Sequence, residues 1–429
     1  MTSVAVLVEL VRGSTSGGHV KCWERFAESA ARLPDAAPGL DLTVCFLGDR
    51  ERVETLSPRV RLVMLRPLLG SGPFASSRGA EDVTDLAPYH PRLAALLPRH
   101  DVWHLTHGFA YAATAVRLAR RTARRGGPVP RLVASVHTDV PALAAVYARY
   151  LAARRLPGAG PPLARGAERW LRRRRDRLLG ACERVLAPTP AGRAELAATL
   201  GADRVGLLRR GVDHGRFHPD PTARARLARA HGVPTDRPLI LFAGRLDATK
   251  GLPLLADSVR LLRARGRPAH LVLAGAGADA EPVRRSLGAD ATLLGPLPQE
   301  RLAQVYAGCD LFAFPSRTET CGNAVAEAMA AGLAVLLPEG AHTTQWLTAP
   351  GEDGVVVPDD TPEAWATALA SLLDDPPRLT ALRHRAAGTA RETHPSWDRV
   401  LTEDLLPVWQ PASPARPAAP PLRPAPERR

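Results

Sequence analysis

Along this chain, short continuous apolar runs alternate with longer stretches whose apolar positions recur at helical spacing. The first pattern predicts buried strands and the second amphipathic helices. Strands are expected over 4–10, 42–47, 61–65, 102–105, 132–136 and 185–187, with helices over 20–33, 91–97, 111–121, 143–155 and 191–200. The periodicity fades around Arg210-Gly-Val-Asp213, and a second series opens at Leu239. That series predicts strands over 239–242, 270–274, 292–294, 311–314, 334–337 and 354–357. Helices are expected over 252–265, 281–287 and 299–308, from Gly322 onward, and again after Thr361. Strands alternating with helices imply doubly wound parallel sheets, so the expected fold class is α/β with two such domains. The expected boundaries are 1–212 for the first domain, 213–238 for an interdomain segment and 239–393 for the second domain, followed by an amphipathic piece over 394–410. The Pro/Ala/Arg tail, 411–429, carries no core-forming pattern and is expected to be disordered.

Polar and glycine positions fall just past the predicted strands. In the second series these are Gly244 with Arg245, the 275–277 turn, the 295–297 turn and 317–319; in the first they are Gly17 with Gly18, His107, and His137 with Asp139. All should open onto the carboxyl edges of their sheets, where ligands bind in open α/β folds. The stretch 314–332 is the most informative. An apolar run breaks at Pro315 and Ser316, and small residues from Gly322 start a helix whose first amides favour an anion. Glu319 precedes that helix and Glu327 lies inside it, so one carboxylate would sit near a sugar and the other would accept from ribose hydroxyls. The competing reading is two solvated glutamates. Arg245 and Lys250, five residues apart across a turn, would hold a diphosphate. Gly17 and Gly18 would admit a phosphate to the backbone or simply turn the chain, and His137 would reach a sugar hydroxyl or serve the core.

Composition narrows this picture. The chain has 429 residues, enough for two cores, and a net charge of +14. Such a charge raises nucleic acid, anionic membranes and phosphorylated substrates as partners. Arginines bunch over 120–125 and 165–177, expected as a solvated helix face or a surface for acidic headgroups. No aromatic and basic interleaving of a nucleic-acid module is present, so no nucleic-acid partner is expected. The five cysteines show neither metal-ligand spacing nor a Cys-x-x-Cys pair and are expected as reduced, buried thiols of a cytoplasmic protein. The opening apolar run lacks a basic leader and is expected as a strand, and no run approaches a membrane span. No Asp-x-Asp pair occurs, so no metal is expected to hold the diphosphate.

The chain resembles glycosyltransferase family 4, retaining enzymes of GT-B fold. The resemblance is carried by Gly244-Arg-Leu with Lys250-Gly, by 273–277, by Gly295-Pro-Leu-Pro298 and above all by the run from Pro315 to Met329. Arg210-Gly-Val-Asp213 with Phe217-His-Pro219 is similar to the family's interdomain segment, and Ser396-Trp397 to the start of the helix that crosses back to the first domain. His137-Thr-Asp-Val-Pro-Ala142 with Tyr147 is similar to members acting on diacylglycerol or related lipids. The resemblance implies two Rossmann-like domains facing a central cleft. It also implies roles: Arg245 and Lys250 on the donor diphosphate, Glu327 on the ribose, Glu319 with the amides near Gly322 and Asn323 on the donor sugar. Gly295 to Leu297 would bind the base, Gly17 and Gly18 the phosphate from the opposite lobe, and His137 the transferred sugar. Thr320 and Cys321 depart from the family's usual glycine or aromatic.

The function expected is therefore retaining, metal-independent transfer of a sugar from a nucleotide sugar, without any other cofactor. The acceptor expected is a lipid or a glycan, and the location the cytoplasm or the inner face of the membrane as a peripheral protein. The alternatives are a sugar-nucleotide epimerase of the same fold and a basic nucleic-acid-binding or scaffold protein.

Overall fold

The computed structural model describes residues 1–13, 17–34, 39–70, 84–137 and 160–410, with the side chains of 160–165, 167, 168 and 170 left aside. The expected helix over 143–155, the residues Asp139 and Tyr147, and the tail 411–429 lie outside the described residues.

Two sheets organise the rest. The first contains β1 (Thr2–Val11), β2 (Leu40–Leu47), β3 (Arg52–Ser57), β4 (Val60–Leu65), β5 (Val102–Leu105), β6 (Arg131–Ser135), β7 (Arg184–Ala187) and β8 (Val205–Leu207). They lie in the order β3-β4-β2-β1-β5-β6-β7-β8, parallel except for the antiparallel edge pair β3 and β4. The second contains β9 (Leu239–Ala243), β10 (His270–Ala274), β11 (Ala291–Gly295), β12 (Leu311–Ala313), β13 (Ala334–Pro338) and β14 (Val355–Val357). Their order is β11-β10-β9-β12-β13-β14 and every pair is parallel. Central strands such as β1, β9 and β10 read as unbroken apolar runs because helices cover both faces.

Two strands escape the hydrophobic pattern. β3 alternates polar residues at an exposed edge, and β8 is a three-residue edge strand, so neither buries enough side chain to imprint a run. Residues 213–238 form no free connection. Phe217, Leu227 and Val233 join the second core, and the helix Ala223–His231 is tied to the start of β12 by Arg224–Asp310 at 2.7 Å. Its apolar face is mostly alanine, which gives little periodic signal.

The chain's last described segment returns to the first lobe. Val212 N donates to Pro395 O at 2.9 Å, and helical turns from Trp397 to Trp409 then pack Val400, Leu401, Leu405 and Trp409 into the first core. Trp409 is fully buried and its Nε1 donates to His104 Nδ1 at 2.9 Å. Replacing Trp409 with alanine should therefore cost about 3–5 kcal/mol, the usual loss for a buried tryptophan. In urea the loss should fall on the first lobe's transition, followed by Trp23 fluorescence in a background where the tryptophans other than Trp23 and Trp409 are phenylalanine. An unshifted midpoint would show that the return segment does not support that core.

Candidate active site

In each sheet the strand order reverses beside a central strand: β1 has β2 on one side and β5 on the other, and β9 has β10 and β12. Chain leaving these strands opens a crevice at the carboxyl edge. Parallel pairing runs on past β9 to β11, because Gly244 N donates to Ala274 O and Gly275 N to Gly295 O, each at 2.9 Å. The turns bearing Arg245, the 275–277 glycines and Gly295 are thus stacked side by side.

Lys250 ends a single turn of 3₁₀ helix, Ala248–Lys250, capped by Asp247 through Thr249 N at 3.0 Å. Gly251 follows at φ +75°, and a Cβ there would stand 2.7 Å from Pro315 O, so only glycine lets this turn press against the chain leaving β12. That contact delivers Lys250 to the other motif: its Nζ lies 2.7 Å from Glu319 Oε1 and 3.3 Å from Thr318 Oγ1. Arg245 Nε pairs with Asp247 Oδ2 at 2.7 Å, and its Nη2 approaches Thr249 Oγ1 at 3.4 Å. Gly322, left-handed at φ +68°, starts the helix Asn323–Ala330, three residues beyond Glu319. Lys250 and Glu319 therefore meet, with Arg245 held at the other end of the same turn. Leu297 packs partly against the second core, one turn beyond Gly295.

Glu327 lies inside that helix, and burial pushes its carboxyl up to about 7 against the pull of Lys21 and Arg25. Those two cations belong to the first lobe's helix Gly18–Arg32, so the lobes face each other here. Gly17 caps that helix in an extended conformation, and open space surrounds the Cβ position of Gly18. The tip of their turn, 14–16, lies outside the described residues.

His137 ends β6 in a cluster of rings. It stacks on His19 with centroids 4.1 Å apart and planes 6° apart, and His19 lies 4.6 Å from His107. Both ring nitrogens of His137 already have protein partners: Ser135 Oγ at 2.7 Å from Nε2, and Arg210 Nη2 at 2.9 Å from Nδ1. Burial drives His104 down to about 3 and His107 to about 4, and holds His19 and His137 well below the usual histidine value. These four histidines are therefore neutral at pH 7.

Sequence reasoning passed over Glu9 and His19. Glu9 is a lone acid in an apolar strand, which was its signal. It is fully buried, and its Oε1 accepts from Ala112 N at 2.6 Å at the start of the helix Ala110–Arg124. Burial outweighs those backbone bonds and raises its carboxyl to about 8. His19 was concealed behind the glycine pair; both of its nitrogens are buried without a hydrogen-bond partner.

Beside His107 and His137 lies an apolar cavity of ≈ 70 Å³, walled by Leu105, Phe109, Val136, Leu171 and Leu178 and touched by Arg174. Arg174 and Leu178 also line an adjoining groove between the helices Ala110–Arg124 and Gly160–Gly180, with Arg117, Arg120, Arg121, Arg124 and Arg177.

Comparison with known proteins decides the family. The model described as Glycosyltransferase Family 4 matches residues 30–216, and that described as Glycosyl transferases group 1 matches 237–375. This chain belongs to glycosyltransferase family 4. It is 36% identical to a D-inositol 3-phosphate glycosyltransferase of Kineococcus radiotolerans over 50% of this chain and 55% of that relative, so the match spans little more than half of the relative's length. Among solved structures, sucrose-phosphate synthase from Thermosynechococcus elongatus aligns over 94% of this chain and 97% of its own at TM-score 0.65 and 19% identity. Anabaena HepE in complex with UDP-glucose aligns over 94% and 97% at TM-score 0.61 and 16% identity. These likenesses establish the GT-B arrangement of two α/β lobes that the resemblance implied.

The raised carboxyl of Glu9 has a consequence for this family member's stability. A folded-state value near 8 against an unfolded 4.5 means that its contribution is complete below pH 4.5 and is lost as pH rises through 8. Glu9→Gln, which keeps the acceptor for Ala112, should match the parent near pH 5 and gain on it progressively, by about 5 °C in Tm at pH 8.5. A Tm difference independent of pH would refute the buried acid.

Proposed function

We propose that the chain is a retaining glycosyltransferase that moves a sugar from a nucleoside diphosphate to an acceptor hydroxyl held by the first lobe. The observation that carries the reading is the pairing of Lys250 with Glu319 at 2.7 Å, beside Arg245 and the N-terminus of the helix Asn323–Ala330. This cluster offers two cations, a carboxylate and helix amides to one diphosphate sugar. On this reading Arg245 and Lys250 hold the diphosphate, Glu327 the ribose, and Glu319 with the amides near Gly322 and Asn323 the sugar. Gly295 and Leu297 meet the base, Gly17 and Gly18 the phosphate from the other lobe, and His137 lines the sugar's side. Family membership favours this over an epimerase or a nucleic-acid-binding protein; the relative above is named for transfer to an inositol phosphate, and HepE was solved with UDP-glucose.

In the reaction the acceptor oxygen bonds to the anomeric carbon as the bond to the diphosphate breaks on the same face. The acceptor proton passes to the leaving phosphate oxygen, and Arg245 and Lys250 stabilise the charge that develops there. The chain lacks Asp-x-Asp, which supports a reaction carried by these cations and needing no metal. Lys250→Ala should lower kcat/KM by about two to four decades with a panel of nucleoside diphosphate sugars, and EDTA should leave the parent's turnover intact. Proton NMR of the first-formed product from an α-linked donor should show an α linkage. Parental turnover by the alanine variant, or a β linkage, would overturn the assignment.

The acceptor reading rests on the first lobe. An apolar cavity beside His137 that adjoins a groove of arginines fits an amphipathic acceptor at an anionic membrane surface, with the protein bound peripherally from the cytoplasm. No described helix is long and apolar enough to cross a membrane. The full chain should co-sediment with vesicles containing phosphatidylglycerol and be released by salt, and Arg120→Glu with Arg124→Glu should weaken this at least about tenfold. Binding that ignores lipid charge would remove the argument for a membrane acceptor.

A further inference from the structure

The motif Arg210-Gly-Val-Asp213 joins the lobes, and its first residue is used by neither the donor nor the acceptor cluster. Arg210 is 6% exposed. Its Nη2 donates to His137 Nδ1 at 2.9 Å in the first lobe, and the thiol of Cys321, just ahead of the helix Asn323–Ala330, lies within its electrostatic reach in the second. Its Nη1 is buried without a hydrogen-bond partner. A guanidinium donates only and keeps its charge, so its contact dictates where the protons on its neighbour reside.

We propose that Arg210 is a positioning residue for transfer: it holds His137 as a neutral ring with its proton on Nε2, and so fixes the imidazole wall that faces the sugar. The inference rests on the reading of this cleft as a glycosyl-transfer site.

Two partners that can only donate assign the tautomers. Because Nδ1 of His137 accepts from Arg210, its proton must sit on Nε2, which then donates to Ser135 Oγ at 2.7 Å. From the other side Trp409 Nε1, also a donor only, occupies Nδ1 of His104 at 2.9 Å, so His104 donates from Nε2 to the same Ser135 Oγ at 2.8 Å. A hydroxyl oxygen has two lone pairs, and the two rings fill them. Trp23 Nε1, at 3.3 Å from Nε2 of His137, is left with a longer contact that this tautomer does not form. Two fixed donors, one from each segment that crosses between the lobes, thereby set both rings. A charged His137 would place an N–H against the guanidinium N–H. The groups that face His137 are His19 on the helix Gly18–Arg32, His104 on β5, His107 just beyond it, and Arg210, and none of them supplies negative charge.

With Arg210 reduced to a neutral side chain, Nδ1 is free to take the proton. His19, stacked on His137, then loses a fixed floor. Direct observation is available by long-range 15N–1H NMR of the intact chain labelled in histidine, with the His137 signals assigned by their loss in His137→Gln. In the parent, His137 should be the Nε2–H tautomer between pH 6 and 8. In Arg210→Met at least about a tenth of the ring should appear as Nδ1–H, and Arg210→Lys, which keeps a charged donor, should preserve the parental tautomer. Kinetically, Arg210→Met should lower kcat at least about tenfold with donor KM within about threefold, the pattern of lost positioning without lost binding. An Nδ1–H or charged ring in the parent overturns the proposal, as does an unchanged tautomer or an unchanged kcat in the methionine variant. If that variant does not fold, the parental tautomer and the kcat of Arg210→Lys decide, since a lysine variant in the other tautomer with parental kcat also overturns it. The spectra report on the ring whether or not the chain transfers sugar, so failure of the glycosyltransferase reading would show separately, as absent turnover with the tautomer intact.

Discussion

The first lobe is completed by chain that lies beyond the second. Trp397, Val400, Leu401, Leu405 and Trp409 fill the face of the β1 sheet that the helix Gly18–Arg32 leaves open, and the indole of Trp409 lies 6.4 Å from that of Trp23. Burying these side chains is worth several kcal/mol, on the order of the whole stability of an ordinary domain. The cost is a close crossing: a Cβ on Gly211 would stand 2.5 Å from Trp397 N, so glycine is needed where the outgoing and returning segments touch. With Val212 bonded to Pro395, the lobes are joined by two adjacent strands of chain rather than by one flexible link. Everything in the cleft inherits its geometry from that pair.

Within the cleft, the two lobes hold their titratable groups differently. On the second lobe Lys250 and Arg245 are each held at 2.7 Å by a carboxylate, with the cations' side chains 13% and 27% exposed. Such half-solvated pairs contribute little net stability, because attraction and desolvation nearly offset each other. Their effect is to keep long cationic side chains in place, so that, on the proposed reading, less rotamer entropy would remain to be lost when a diphosphate is taken up. The first lobe presents the opposite: histidines kept neutral by burial and an acid, Glu9, kept protonated.

Much of this was legible in the sequence, for identifiable reasons. β9, β10 and β12 are buried on both faces and read as apolar runs, and the glycines and charges after them mark the carboxyl edge, so periodicity located that edge while residue types and the family resemblance supplied the expected roles. Edge strands β3 and β8 bury too little to leave a pattern, and the helix Ala223–His231 hides its contact face in alanine. The histidine cluster was invisible for another reason. His19, His104, His107, Ser135, His137, Arg210 and Trp409 are scattered over nearly four hundred positions of chain, and only the fold assembles them. A single histidine at a strand end says nothing about which atoms its nitrogens already serve.

That assembly bears on the chemistry. An inverting transfer needs a base on the face of the sugar opposite the leaving group, strong enough to take a hydroxyl proton at neutral pH. Among the described residues of the first lobe, His107 is pushed down to about 4 and His104 to about 3 by burial, which makes both weak bases. His137 has both nitrogens engaged, and Glu9 already carries its proton and faces the amide of Ala112. On the proposed reading, the departing phosphate is then a stronger base for the acceptor hydroxyl than any of these groups. Its oxygens lie on the face from which it leaves, so a proton delivered to them would bring the acceptor in on that same face, and retention would follow from where the protons are already stored.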